Sequence, residues 1–327
     1  MKYILNETPV RTSNNFRIND LTLDLDIKEK ELSKLNVKGI EYNESIKTNF
    51  NSKINLKHNN YRCLDIDITK DSNIEISSLL ETNYLIDQIN INLSKNTNSS
   101  IVIKYGGSGF HNLKLYINAN KNSTSNITVL NLLSKDSISF ISFENSIDEE
   151  SNIDINFIDL GGKIKVSNYY SILENRTTNT FNNIYIGKEK DIIDMNYYML
   201  NKGEKTNSSI EIAGALFDES NKNFKGIIDF IEGSKNAIGY ENENCILFSD
   251  KAVSKSLPML LCHEEDVSGT HSVSTGKVDE DKLFYLKSRG ISEEESKRLI
   301  MLGDFSKALT KVKNKDEILS YIDEYLK

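Results

Sequence analysis

Tryptophan is absent from the 327 residues, and proline occurs only at Pro9 and Pro258. Long proline-rich linkers are therefore excluded. No apolar run approaches the roughly 18 residues of a membrane-spanning helix. The N-terminus, MKYILNETPVRTSN, becomes polar too soon for a signal peptide. The expectation is a cytoplasmic protein. Cysteine is scarce: Cys63, Cys245 and Cys262 form no CxxC pair and no zinc spacing. In a reducing compartment they are free thiols, buried fillers or ligands. The four histidines, His58, His111, His263 and His271, fall in no HExxH pattern, and no GxSxG elbow occurs. An ordinary hydrolase is hard to build from this inventory.

Positive charge is also short. The chain has 40 basic and 48 acidic side chains, a net −8. Residues 277–327 carry 11 of each, so the other 29 basic and 37 acidic groups place the whole excess in the first 276 residues. An acidic body argues against nucleic acid, whose phosphates require clustered Lys and Arg. No basic amphipathic stretch suggests a membrane surface.

Abundant Asn, Ile, Ser and Lys are what the chain does have. A biased genome would produce this, and so would many tight turns between short strands. From about residue 40 to 262 the pattern is short alternation: Ile89–Leu93, Ile101–Ile103, Leu113–Ile117, Ile153–Phe157 and Ile164–Val166. Period two predicts strands with a buried face. Clusters such as Lys95–Ser99 read as turns. Evenly spaced short strands fit a sandwich, a barrel or a β-helix, and no exact repeat decides among them. Residues 1–40 are mixed, with a short helix expected near Lys28–Leu35.

The texture changes at Lys277. Asp279 is placed to cap a helix running to Gly290. Ser292 and Glu295 form a capping box for a second helix carrying Leu299, Ile300, Leu302, Phe305, Leu309 and Val312. A third helix is expected from about Asp316 to Leu326. The predicted organisation is an N-terminal segment (1–40), a β body (41–276) and a small helical domain (277–327).

Two glycine-rich stretches fail as nucleotide sites. Gly269 to Gly276 encloses six residues where a phosphate loop has four, and Val278 stands where Ser or Thr must bind magnesium. The run Gly106-Gly107-Ser108-Gly109 precedes a strand and reads as a turn. No nucleotide is expected on this chain. The densest chemistry lies between Cys245 and His271, with two Cys, two His and several carboxylates. Thiolate and imidazole suit iron and iron–sulfur clusters. The spacing matches no self-contained cluster site, so a complete site needs another chain or is transient.

The stretch from Pro258 to Glu295 carries Asp266-Val267, His271, Gly276-Lys277 and Leu283-Phe-Tyr-Leu-Lys-Ser-Arg-Gly-Ile291 in order. It resembles the C-terminal signature of the SufB/SufD family of iron–sulfur cluster assembly scaffolds. Upstream, Phe224-Lys-Gly226-Ile and Ile246-Leu-Phe also fit. The resemblance implies a mainly β chain, a right-handed parallel β-helix followed by a small α-helical C-terminal domain. It implies a non-enzymatic subunit that pairs with a SufB-type chain and with the SufC ATPase. A cluster would be held transiently on the complex where two β-helices meet. The family's SufD histidine falls on His271, and the neighbour Ser272 replaces the glutamate of SufB-type chains. The SufB cysteine position falls on Glu243, with Cys245 two residues on and so on the same strand face; both departures make the resemblance greatest to the SufD-type members. His271, Cys245 and Cys262 are the candidate cluster residues. Phe284, Tyr285, Leu286, Arg289, Leu299 and Phe305 are the expected ATPase-binding surface. Two alternatives stay open: a self-sufficient homodimeric scaffold working with SufC, and, from another class, a β-helical polysaccharide-processing enzyme.

Overall fold

The computed structural model describes residues 1–11, 17–309, 312 and 314–326. Its strands in chain order are β1 (Lys2–Leu5), β2 (Leu21–Asp24), β3 (Asn36–Lys38), β4 (Asn43–Phe50), β5 (His58–Ile68), β6 (Ser72–Leu80), β7 (Tyr84–Leu93), β8 (Asn98–Gly107), β9 (Phe110–Ala119), β10 (Thr124–Leu133), β11 (Ile138–Ile147), β12 (Asn152–Asp159), β13 (Ile164–Leu173), β14 (Thr178–Gly187), β15 (Ile192–Asn201), β16 (Asn207–Leu216), β17 (Asn221–Phe230), β18 (Ala237–Leu247), β19 (Val253–Cys262) and β20 (Val267–Lys277). Three helices follow: α1 (Glu280–Ser288), α2 (Glu293–Leu309) and α3 (Lys315–Leu326).

From β5 onward the strands alternate between two sheets. One runs β3–β6–β8 and on through the even strands to β20; the other runs β4–β5–β7 and on through the odd strands to β19. All pairings along both are parallel except at the start, where β3 meets β6 and β4 meets β5 antiparallel. The result is a parallel β-solenoid of about eight coils, the predicted β-helix. Alternation along each strand sends every second side chain into the lumen. There Leu113, Leu115 and Ile117 join Ile101 and Ile103 in one continuous core. Along it Phe143, Phe157, Tyr169, Phe181, Tyr197 and Phe224 stack ring on ring, with centroids 4.1 to 6.0 Å apart.

Corners explain part of the Asn and Ser excess. Asn83, Asn96, Asn122 and Asn236 take left-handed backbone angles, φ 58–61°, which Asn tolerates better than most residues. Glu150, Arg176 and Lys205 occupy equivalent corners at φ 55–61°. After several of these corners a hydroxyl closes the turn: Thr97 Oγ1 donates to the Ser94 carbonyl at 2.7 Å, and Thr177 Oγ1 to that of Glu174 at 2.8 Å.

Each sheet's outer face is covered differently. The β1–β2 hairpin lays Leu5, Leu21 and Leu23 against Tyr84, Phe110, Phe140 and Val166 of the odd-numbered sheet. Farther up that face Asn6 inserts into a buried ion pair. Its Nδ2 donates to Asp194 Oδ1 at 2.7 Å, and Lys225 Nζ reaches the same oxygen at 2.6 Å. Residues 28–35 take no regular secondary structure here, and the expected helix is not formed. The segment is drawn out to cross the solenoid, where Leu35 packs into the lumen core, and tertiary contact overrides local propensity.

Helices α2 and α3 cover the even-numbered sheet. Met301, Phe305, Leu309, Ile318 and Ile322 pack on Leu130, Ile158, Ile184, Ala213 and Ala215. The predicted caps are present: Asp279 Oδ1 accepts from Lys282 N at 3.0 Å, and Ser292 Oγ from Glu295 N at 3.2 Å. The expected extension of α2 to Val312 crosses residues 310 and 311, which lie outside the described residues.

At the N-terminal end His58 is nearly buried and accepts from Asn112 Nδ2 at 3.0 Å. Burial pulls its pKa down to about 4. The unfolded chain therefore takes up this proton near pH 6.5, before the folded chain does. His58 should erode stability as pH falls from about 6.5 to about 4, with no further loss below. The variant His58→Gln should flatten that part of a urea-stability profile. An unchanged slope would show that the imidazole titrates freely in the fold.

Candidate functional site

The two ends of the solenoid differ. At the start each sheet ends on an antiparallel strand, three-residue β3 on one and eight-residue β4 on the other. At the other end β19 and β20 each bond to one neighbour, leaving a ten- and an eleven-residue edge open. Every residue of β20 is exposed except half-buried Val267. Such an edge is a template for pairing with another chain. Pro258 sits on β19, a position an edge strand tolerates.

Register aligns the chemistry of the last two coils. Glu241 of β18 lies beside His271 of β20, Glu243 beside Val273, and Cys245 beside Thr275. These residues alternate along their strands, so all share the lumen-facing side. Cys262, the last residue of β19, lies beside Phe230 on the other sheet and is exposed, as is His271.

One coil deeper the lumen is polar and closed to bulk solvent. Lys222 and Glu243 form an ion pair with both side chains fully buried. The same ammonium donates to Ser256 Oγ at 2.8 Å and to the Lys255 carbonyl at 3.4 Å. Tyr185 OH donates to Glu243 at 3.3 Å. Its ring packs over Gly214, where a Cβ would come within 2.0 Å of the ring. Glu241 is fully enclosed, and neither of its oxygens has a hydrogen-bond partner. Burial, with Glu243 adding to it, pushes the Glu241 carboxyl far above the usual carboxylate range. Burial also raises the thiol of Cys245, so at neutral pH it is a protonated thiol rather than a nucleophilic thiolate. Cys63 lies at the far end of the solenoid, buried on the opposite sheet.

The structure thus gathers His271 and Cys245 on one wall and leaves Cys262 on the other sheet. Lys222 and Glu241 were missed from sequence. The clue was Glu241-Asn-Glu243-Asn-Cys245, an alternating run whose lumen face is polar where apolar residues are the rule. Among the described residues no three His, Cys, Asp or Glu side chains are close enough to hold a metal ion by themselves.

Beyond the mouth, α1 and α2 enclose an open groove of about 610 Å³ lined by Tyr285, Leu286, Leu299, Ile300 and Gly303, with Asp279, Asp281 and Asp304 also along it. Phe284 and Tyr285 are 75% and 57% exposed. Exposed Arg289 stacks over the Tyr285 ring at 5.3 Å. Phe305 points the other way: it is 0% exposed and belongs to the seam with the solenoid.

Residues 76–304, most of the solenoid and the start of the helices, match the family model described as SUF system FeS cluster assembly, SufBD core domain. The chain belongs to this family. The iron–sulfur cluster assembly protein SufD of Bacillus subtilis is 30% identical over 120 residues, covering 37% of this chain and 28% of its own length. A SufBD family protein of Staphylococcus saprophyticus is 25% identical over 201 residues, 61% of this chain and 43% of its own. One from Pyrococcus horikoshii is 31% identical over 122 residues, 37% of this chain and 27% of its own. The chain thus spans less than half the length of these SufBD relatives. The family match agrees with the resemblance carried by the stretch around His271, and the parallel solenoid with the fold that resemblance implied. Among the described residues no helix is long and apolar enough to cross a membrane.

Proposed function

We propose that this chain is a non-enzymatic scaffold subunit of a SUF iron–sulfur cluster assembly complex. The observation that carries the reading is the open end of the solenoid, where two long unpaired edges flank a buried polar chamber and exposed His271. A closed scaffold would have no reason to leave both edges bare, because bare edges invite aggregation. A second SufB/SufD-type chain docking there would place its own ligands opposite His271, with Cys245 behind and Cys262 on the facing sheet. The cluster is built at that junction and passed on, so it is cargo rather than a resident cofactor. The SufC ATPase docks in the groove between α1 and α2 through Phe284, Tyr285, Leu286, Arg289 and Leu299, with Phe305 beneath them as foundation. Work done by the ATPase reaches the chamber through α2, whose Asp304 accepts from Asn244 Nδ2 at 3.1 Å on the strand that bears Glu243 and Cys245. The same open edges also fit a second copy of this chain, the homodimeric form of the scaffold. Light scattering of the purified chain, alone and with a SufB-type chain, separates the two arrangements.

The test is anaerobic reconstitution from iron and sulfide with the ATPase and the partner chain. His271→Ala should leave the complex assembled and cut cluster yield at least tenfold, the scale of a lost ligand-shell residue (about 10–100-fold). The pair Phe284→Ala and Tyr285→Ala should abolish co-purification of the ATPase and leave the fold intact. Undiminished cluster yield from His271→Ala would remove that residue from the site. Retained ATPase binding by the double variant would move the docking surface elsewhere.

A further inference from the structure

The β1–β2 hairpin stands apart from the hydrogen bonding of the solenoid. It is a two-stranded sheet of its own, joined to neither of the long sheets. Between Met1 and Thr8, among the described residues, one backbone–backbone hydrogen bond leaves the hairpin, from Asn6 N to the Ile54 carbonyl at 3.1 Å. Residues 25–35 take no regular secondary structure. They form a tether anchored at Ser33, whose N donates to the Tyr84 carbonyl at 2.9 Å, and at Leu35 in the lumen core.

Side chains therefore decide whether the hairpin stays down. Leu5, Leu21, Leu23 and Leu25 are buried against Tyr84, Phe110, Phe140 and Val166, and this apolar contact favours the closed position. The polar contact acts in both directions. Asn6 roofs the Asp194–Lys225 ion pair, whose side chains are fully buried, and taking two charges out of water carries a desolvation cost. The Asn6 carboxamide offsets part of it. Its Nδ2 donates to Asp194 Oδ1 at 2.7 Å and to the Ser167 carbonyl at 3.1 Å, and its Oδ1 accepts from Asn168 Nδ2 at 3.0 Å. Lys225 Nζ reaches the Asn6 carbonyl at 3.2 Å. Asn6 takes φ 52° to make these contacts, a backbone region open to few residues other than Gly, Asn and Asp.

The offset is incomplete. Beside the plug, Asn196 Oδ1 and Asn223 Oδ1 are buried with no donor. Neither amide gains by turning round, because each Nδ2 already faces an oxygen: the Glu7 carbonyl at 2.9 Å for Asn196, Asp194 Oδ2 at 3.5 Å for Asn223. Buried acceptors without donors oppose the closed state. Lifting the hairpin would return both oxygens and the ion pair to water and would break no strand pairing of the solenoid.

We propose that the β1–β2 hairpin is a releasable strap over the outer face of the odd-numbered sheet, with the Asn6 carboxamide as its catch. When it lifts, the apolar strip of Tyr84, Phe110, Phe140 and Val166 and the charged spot at Asp194 and Lys225 are bared together, while the coils stay stacked. The strap is independent of the scaffold reading and of the open end of the solenoid.

Hydrogen exchange of the full chain, read by mass spectrometry, tests this. The amides of β1 and β2 should open at least about a hundredfold more often than those of β15 beneath them, as a local unit distinct from the core. Asn6→Gly keeps the backbone conformation accessible and deletes the carboxamide. It should raise strap opening about tenfold or more, the scale of a hydrogen bond to a charged group, and leave β13, β15 and β17 as protected as in the parent. Asn223→Ala removes an amide oxygen that the closed strap leaves without a donor, so strap opening should be no higher than in the parent. Strap amides that exchange no faster than those of β15, or an Asn6→Gly variant that changes neither or changes both alike, overturn the strap. A rise in Asn223→Ala equal to that in Asn6→Gly overturns the assignment of the catch.

Discussion

Replacing Phe305 by alanine should lower the unfolding free energy of the whole chain by about 3–5 kcal/mol. The ring is fully buried, and its neighbours belong to two layers: Met301 and Ile322 on the helical side, Ile184 and Ala213 on the strands. The cavity therefore opens at a seam. A helical tail folding by itself would confine the damage to the tail and spare the β body. Here the loss should appear in urea denaturation followed by far-ultraviolet circular dichroism of the strands. Polar contacts hold the same seam: Arg298 grips Asp323 at 2.5 and 2.8 Å between α2 and α3, and Lys188 donates to the Tyr325 carbonyl at 2.9 Å at the end of α3. A loss below about 1 kcal/mol, the ordinary scale of a single substitution, would mean that the helices contribute little to holding the coils.

The second large effect is expected from Lys222→Met. Removing one partner of a buried ion pair leaves the other charge uncompensated, which costs about 3–5 kcal/mol. Glu243 would be that charge. Besides Lys222 it keeps the Tyr185 hydroxyl on Oε1 and nothing on Oε2. The double variant Lys222→Met with Glu243→Leu should recover most of the loss, since an apolar pair of similar volume carries no desolvation penalty. Denaturant midpoints of the two single variants and the double one form a cycle that isolates the pair. If the double variant is no more stable than Lys222→Met, the chamber depends on its charges for shape, and the ion pair is more than a tolerated burial.

Strand content and the helical tail were legible because their causes are local. Alternation at period two marks a strand wherever it sits, and Asp279 and Ser292 cap helices without help from the rest of the chain. The solenoid itself was hidden by unequal coils. Asn98 pairs with Thr124, Thr124 with Asn152, Asn152 with Thr178 and Thr178 with Asn207, so no fixed period runs through the sequence. The regular mark is a hydroxyl residue directly after each left-handed corner: Thr97, Ser123, Ser151, Thr177 and Thr206 follow Asn96, Asn122, Glu150, Arg176 and Lys205, once per coil. The helix expected at Lys28–Leu35 failed because its residues are stretched to reach a distant core. Of the site, His271 and Cys245 were visible through a resemblance. Glu241 and Lys222 were not, because a buried acid in a strand looks like a solvated one until its coil is closed over it. Phe305 carried the right apolar spacing for a partner surface, and spacing does not tell which layer an apolar face will meet.

The unequal ends of the solenoid have a consequence for how the molecule breathes. In a stacked array each repeat is held only by its neighbours, so stability is a sum of nearest-neighbour terms along one axis. A coil with neighbours on both sides must break two interfaces to open; a terminal coil must break one. The first coils carry short antiparallel strands, and the β1–β2 hairpin lies against the outer face of the odd-numbered sheet. The last coil has no such cover, and its amides belong to the low-energy end of the opening spectrum. Fraying from this end reaches β20 before it reaches the strand that carries Glu241, Glu243 and Cys245. The buried acid and thiol sit one coil behind an edge strand, shut off from solvent at rest and reachable without unfolding the rest of the stack.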